Sequence, residues 1–220
     1  MINQIKVNNI KKVYKNKVVA IEQMNAEFEA GKFYAVMGPS GSGKSTLLNM
    51  IGTLDSITDG SIYYDERDIG KMGEKEKTLL RKNKIGFIFQ GFYLNPYLTA
   101  RENVEVPLKL NEHISAKERK QKAEELLETF GLLDRKNHFP EEMSGGEQQR
   151  VCMARAMANQ PDVILADEPT GNLDSENEKI VFEQLKKLSK QEKIVIVVSH
   201  NEIVRQYADE IIEMQKAVTS

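Results

Sequence analysis

Short, nearly continuous apolar runs recur along the chain and alternate with longer stretches of mixed polarity. FYAVMG (33–38), KIGFIFQ (84–90), VILADEP (163–169) and IVIVVSH (194–200) read as strands. They are apolar at both parities, which predicts a parallel sheet covered on both faces. EIIEM (210–214) is expected to end that sheet. Near the N-terminus, IKVNN and NAEFEAG read as antiparallel edge strands.

Helix starts carry a repeated signal. Ser115, Ser144 and Ser175 are each followed three residues later by a glutamate, Glu118, Glu147 and Glu178. In such a capping box the hydroxyl accepts from the third backbone N–H and the carboxylate reaches back to the first. Beyond Ser175, apolar residues return at Val181, Leu185 and Leu188, so one helix face turns inward. Residues 116–130 are dense in Lys and Glu and stop at Gly131, as an exposed amphipathic helix does. A mainly helical lobe, about residues 91–160, is therefore expected to interrupt an α/β core of about residues 1–90 and 161–220. The 220 residues suit one such domain.

Composition narrows the function. The chain has 31 basic and 33 acidic residues, well mixed, with a formal net charge of -2. No basic face for nucleic acid is indicated. Cys152 is the one cysteine, so an internal disulfide is impossible and a reducing cytosol fits; it reads as a small buried residue. His113 and His138 read as exposed polar residues. The longest apolar runs are about five residues, against roughly 20 for a membrane span. The N-terminus lacks the apolar core of a signal peptide. Work at a membrane would require another chain to cross it.

GPSGSGKS (38–45) fits G-x-x-x-x-G-K-[ST], a loop that cradles phosphate. Gly38, Pro39, Ser40, Gly41, Ser42 and Gly43 supply a backbone able to curl so that successive N–H groups converge. Lys44, Ser45 and Thr46 open the following helix, whose N-terminus adds partial positive charge. Lys44 is expected to meet the β and γ oxygens of a nucleotide, and the Ser45 hydroxyl a Mg²⁺ ion. VILADEP then sets Asp167 and Glu168 at a buried strand end. Asp167 suits Mg²⁺ held through its water shell. Strand alternation turns Glu168 the other way, toward the γ-phosphate, where it can polarise water.

MSGGEQQR (143–150) narrows the family. Ser144, Gly145, Gly146, Glu147 and Gln148 resemble the signature motif of ABC ATPases, and the other motifs follow in that family's order. The resemblance implies an α/β fold: a P-loop NTPase core with a mainly parallel sheet, an N-terminal antiparallel β edge and an inserted α-helical subdomain. It implies hydrolysis of ATP, with Mg²⁺, to ADP and phosphate. Gln90 resembles the Q-loop glutamine, a Mg²⁺ sensor; Asp174 in GNLD (171–174) resembles the D-loop residue; His200 resembles the switch histidine; and Tyr14 resembles the aromatic that stacks on adenine. In this family the signature meets ATP held by the other subunit, so the resemblance implies a homodimer with two ATP molecules sandwiched between loops and signatures.

The stretches GPSGSGKSTLLNMIGTLD, IGFIFQGFYLNPYLTARENVEVPL and LADEPTGNLDS look like the macrolide-exporter and lipoprotein-releasing class. That implies a peripheral subunit on the cytoplasmic side of the membrane, held by an integral-membrane permease with an extracytoplasmic domain. It implies mechanotransmission to peptide, antibiotic or lipoprotein export. The alternative is a non-transporting ABC ATPase that signals through a membrane complex, as in cell division. Met143 stands where the family usually has Leu, a near volume-conserving exchange. The chain ends soon after EIIEM, so no C-terminal regulatory domain is expected. Phe89, Phe92, Tyr93, Leu94 and Tyr97 form an aromatic-rich loop expected to build the groove for the permease.

Overall fold

The computed structural model describes residues 1–15, 17–110 and 114–216. In chain order the elements are β1 (Gln4–Val13), β2 (Val19–Glu29), β3 (Phe33–Met37), α1 (Lys44–Ile51), β4 (Asp59–Tyr64), β5 (Arg67–Asp68), α2 (Glu74–Lys84), β6 (Ile85–Phe89), α3 (Ala100–Lys109), α4 (Ala116–Thr129), α5 (Gly145–Met157), β7 (Val163–Asp167), α6 (Ser175–Ser189), β8 (Ile194–Val198) and β9 (Glu210–Glu213). Strands β6-β7-β8-β3-β9 form a sheet in which every pairing is parallel. The predicted runs are its strands, and β9 lies at one edge. The antiparallel strands β1 and β2 form a sheet of their own with β4 and β5, in the order β2-β1-β4-β5.

The parallel sheet divides two apolar cores, as strands apolar at both parities require. Phe33, Ala35, Met37, Ile164, Ala166, Val195 and Val197 pack with helices α3 to α6. Tyr34, Val36, Val163, Leu165, Ile194, Ile196 and Val198 face α1 and the antiparallel sheet. Helix α1 buries Leu47, Leu48, Met50 and Ile51 and is enclosed in that second core. The loop at its N-terminus therefore rests on a fixed element. Between β6 and β7 the chain runs through α3, α4 and α5, and α5 packs against α3 and α4.

Local start signals were legible in part. The boxes at Ser115–Glu118 and Ser144–Glu147 form as expected, and Thr99–Glu102 makes a further one at α3. The expected box at Ser175 does not form. Asp174 is the N-cap of α6, its carboxylate accepting from Asn177 N at 2.9 Å. That register sets Glu178 one residue too far along to reach back, and its carboxylate instead accepts from Asn201 Nδ2 at 2.7 Å. His138 is half-buried rather than exposed, with Nδ1 enclosed, and its carbonyl accepts from Ala100 N. His113 lies outside the described residues. Cys152 is fully buried in α5, and burial pushes its thiol up to about 12. Met143 is buried in the core that α5 shares with the sheet. No helix among the described residues is long and apolar enough to cross a membrane.

The cap assignment is testable by thermal unfolding. Asp174→Ala should lower Tm, because it strips the cap from α6, whereas Ser175→Ala should leave Tm within error. A larger loss at Ser175 would return the cap to that serine.

Candidate functional site

The chain leaves β3 at Met37, curls through the predicted loop and enters α1 at Lys44. Gly38, Gly41 and Gly43 have φ of 146°, 78° and 89°, a region that side chains avoid. At Gly38 a Cβ would overlap the carbonyl of Met214, just past β9; at Gly43 it would meet the carbonyl of Ala20 in β2. Backbone from both sheets thus holds the loop from behind. Gly43 offers no side-chain cap, so the first N–H groups of α1 remain directed into the loop. Lys44 is nearly buried, and its ammonium donates to the carbonyls of Gly38 (2.7 Å) and Pro39 (3.0 Å).

A cleft of about 580 Å³ is lined by Gly38, Pro39, Ser40, Gly41, Ser42, Gly43, Lys44, Ser45, Thr46, Gln90, Glu168 and His200. Residues from four strand ends of the parallel sheet are thus gathered at its C-terminal edge, where open α/β sheets bind ligands. Asp167 joins through Ser45, whose Oγ donates to Asp167 Oδ1 at 2.9 Å. Burial raises the Asp167 carboxyl above its ordinary value, and the Ser45 hydrogen bond only partly offsets this. A desolvated carboxylate beside a hydroxyl is a hard-oxygen donor pair of the kind Mg²⁺ takes. Among the described residues no cluster of three His, Cys, Asp or Glu side chains could hold a metal alone. The donor set thus fits Mg²⁺ completed by phosphate and water oxygens.

Glu168 reaches the cleft by a different route from the one strand alternation suggests. β7 ends at Asp167, and Glu168 adopts φ 46°, so a left-handed turn and not the pleat aims its side chain. Such a conformation costs a non-glycine residue about 1–3 kcal/mol and persists only where surroundings enforce it. Here the Glu168 N–H donates to Val198 O at 2.9 Å, fixing the turn to β8. Its Oε1 lies 2.9 Å from His200 Nδ1, and its Oε2 accepts from Ser199 Oγ at 3.3 Å. Gln90 follows the end of β6. Its carbonyl accepts from Asn172 Nδ2 at 2.9 Å, and its side chain packs so close to Gly171 that a Cβ there would meet the amide nitrogen at 2.6 Å.

Tyr14, Asp174 and the signature residues do not line the cleft. Tyr14 stands beside it, its hydroxyl 3.3 Å from Thr46 Oγ1. Ser144, the N-cap of α5, accepts from Glu147 N, while Glu147 accepts from Ser144 N (2.8 Å) and Arg135 Nε (2.9 Å). The backbone hydrogen bond from Ser144 is the main cause that holds the Glu147 carboxyl below its ordinary value. Gln148 donates to Met143 O at 3.1 Å, and Gly145 packs near Leu173 and the carbonyl of Asn172. At Gly146 a Cβ would overlap the side chain of Asn177, and Asn177 in turn donates to both carboxylate oxygens of Asp174. Asn177 therefore ties Asp174 to the signature helix. Sequence reading missed it, because its only local signal was its place three residues after a cap.

Of the aromatic loop, Phe89 alone lines a second, mainly apolar groove of about 470 Å³ with Phe87, Val106, Pro107, Leu110 and Ala156, edged by Arg81, Lys82 and Arg155. Phe92 and Tyr93 have positive φ, and their carbonyls are held by Arg155. Tyr93 and Tyr97 are exposed and do not line it.

The ABC transporter family profile matches residues 21–171. An uncharacterized ABC transporter ATP-binding protein of Methanocaldococcus jannaschii is 46% identical over 214 residues, 96% of this chain and 95% of that protein. The lipoprotein-releasing system ATP-binding protein LolD of Aquifex aeolicus is 42% identical, over 96% and 93%. The dimeric post-hydrolysis structure of the ATP-binding cassette MJ0796, bound to ADP and Pi, superposes with a TM-score of 0.88 at 42% identity, over 96% of this chain and 94% of that one. The chain belongs to the ABC transporter family, as an ATP-hydrolysing cassette. Its relatives place it in the macrolide-exporter and lipoprotein-releasing class.

The packing at Gly146 makes a prediction of sign. Replacing glycine by alanine in an open helix position gains about 1 kcal/mol, but overpacking costs about 1–3 kcal/mol. Gly146→Ala should therefore lower Tm in the absence of nucleotide, and adding Asn177→Ala should restore it. A rise in Tm for Gly146→Ala alone would show that the packing does not require the glycine.

Proposed function

We propose that two copies of this chain close over two ATP molecules and that their closure and reopening drive a separate permease. The observation that carries this reading is the division of the motifs. Loop, Asp167, Glu168, Gln90 and His200 converge at one cleft, while the signature at α5 stands outside it. A signature that is absent from the cleft of its own chain is free to serve the cleft of another.

Within each cleft, Lys44 and the N–H groups entering α1 bind the β and γ phosphoryl oxygens. Lys44 must exchange its bonds to Gly38 and Pro39 for the phosphate, and these neutral acceptors make that exchange inexpensive. Ser45 and Asp167, with Gln90 near them, would hold Mg²⁺, which when bound neutralises charge on the phosphoryl oxygens. Glu168 orients the attacking water and accepts its proton, while His200, tied to the same carboxylate, fixes that orientation and reaches the γ-phosphate. Tyr14 stacks on the adenine. Ser144, Gly145 and Gly146 approach the γ-phosphate held by the partner, with Glu147 and Gln148 shaping that helix start. Asp174 sits at the dimer seam. Hydrolysis removes the group that joins the halves, and the dimer opens.

The permease docks in the groove that Phe89 shares with Val106, Pro107 and Leu110, a mainly apolar slot of a size to take a short amphipathic helix. This holds the cassette peripherally on the cytoplasmic side. The class of its relatives supports mechanotransmission to a permease with an extracytoplasmic domain, serving peptide, antibiotic or lipoprotein export.

Glu168→Gln should still bind ATP and accumulate as a dimer on size exclusion, while kcat falls by roughly 10²–10⁴-fold. Hydrolysis at the wild-type rate would remove Glu168 from the role of base. In the assembled complex, cysteines at Val106 and Leu110 should crosslink to the permease; an active complex without such crosslinks would move the docking site elsewhere.

A further inference from the structure

Tyr14 is held in place by two residues to which no role has so far been given. Its hydroxyl donates to Asp55 Oδ2 at 3.1 Å. The other oxygen of that carboxylate, Oδ1, accepts from Lys12 Nζ at 2.6 Å. The Lys12 ammonium also donates to Ser56 O at 2.6 Å and lies 4.8 Å from the centroid of the Tyr14 ring. Lys12 is 5% exposed and Tyr14 39%. The arrangement is a closed circuit: lysine to carboxylate, carboxylate to hydroxyl, ring back to lysine. It joins the end of β1 to the turn after α1, and through Thr46 Oγ1 it touches the cleft itself.

Burial works against the charge on Asp55, but hydrogen bonds from Lys12, Ser56 and Tyr14 outweigh it, and the carboxyl sits below its ordinary value. The carboxylate of the circuit is thus ionised at neutral pH. A tyrosine has two soft side-chain torsions, and a tether at the hydroxyl together with a cation over one face restrains both. The cation covers one face, while the residue as a whole keeps 39% of its surface exposed. A ring fixed in this way loses little freedom when a base stacks on it, and preorganisation of that kind raises affinity without any new contact.

We propose that Lys12 and Asp55 are positioning residues that hold Tyr14 as a rigid platform for the nucleobase. The inference rests on the reading of Tyr14 as the base-stacking residue. The circuit engages the ring and never a base edge. It therefore strengthens purine nucleotides without choosing between them, since stacking is tolerant of base identity.

The test is equilibrium binding to the full chain of ATP, GTP and inorganic tripolyphosphate, which carries the phosphates without a base. Tyr14→Ala should weaken ATP by about 5- to 100-fold and leave tripolyphosphate unchanged. Asp55→Asn and Tyr14→Phe should each weaken ATP and GTP equally, by about 3- to 10-fold, again sparing tripolyphosphate. The double variant should lose no more than either single one, because both cut the same link. Lys12→Arg, which keeps the cation, should retain more affinity than Lys12→Met. Wild-type affinity in Asp55→Asn and Tyr14→Phe, with Tyr14→Ala impaired, would overturn the tether and leave the base platform standing. Wild-type affinity in Tyr14→Ala would overturn the platform as well. Loss of tripolyphosphate binding in Asp55→Asn would show that Asp55 acts on the phosphate loop and not through Tyr14.

Discussion

The backbone curl between β3 and α1 is the constraint on which the other parts of the site depend. Its N–H groups can converge only if the chain adopts positive φ at Gly38, Gly41 and Gly43 and if nothing fills the space behind it. The carbonyls of Met214 and Ala20 occupy that space, so a side chain at Gly38 or Gly43 is excluded from the rear as well as from the phosphate side. The loop is therefore clamped by both sheets, and α1 behind it is packed between them. Such a loop changes little on binding, and affinity is not lost to ordering it.

Two adjacent carboxylates at the end of β7 do different things because their surroundings differ. Asp167 remains in the strand, desolvated, with a hydroxyl as its partner, which is a setting that attracts a hard cation. Glu168 leaves the strand through a strained turn and meets His200 and Ser199 at the end of β8. The strain is a cost that the hydrogen bond to Val198 helps to offset. What sets the two carboxylates in different surroundings is one φ angle rather than one residue type.

The motifs that do not share the cleft are still linked to it. Gln90 is pressed against Gly171 and bonded to Asn172; the same short segment ends in Asp174, which caps α6 and holds Asn177; and Asn177 fills the space above Gly146. These contacts form a contiguous chain from Gln90 to the signature helix.

Much of this was legible along the chain. Apolar runs at both parities marked a sheet buried on two faces, because that pattern has no other economical use. The capping boxes at Ser115 and Ser144 were readable since cap and partner lie within one helical turn. Glycine spacing before Lys44 announced the loop for the same reason: conformational preference is local. Helix α2 was not legible, as it buries no residue and carries no apolar stripe. Nor was the choice of Asp174 over the adjacent Ser175 as cap: the Ser-x-x-Glu pattern pointed to Ser175, and the fold set the helix start one residue earlier.

What the sequence by itself determined is the set of local backbone states and chemical groups: strands, helix starts, a phosphate loop, two carboxylates and a signature. Only the tertiary structure decided which of them meet. The pairs Lys12–Asp55, Gly38–Met214 and Gly146–Asn177 are separated by long stretches of chain, and none has a periodic or spacing signal. Their contacts exist because, among the described residues, two sheets and six α-helices pack around two shared cores, and packing is a property of the whole fold, not of any window along it.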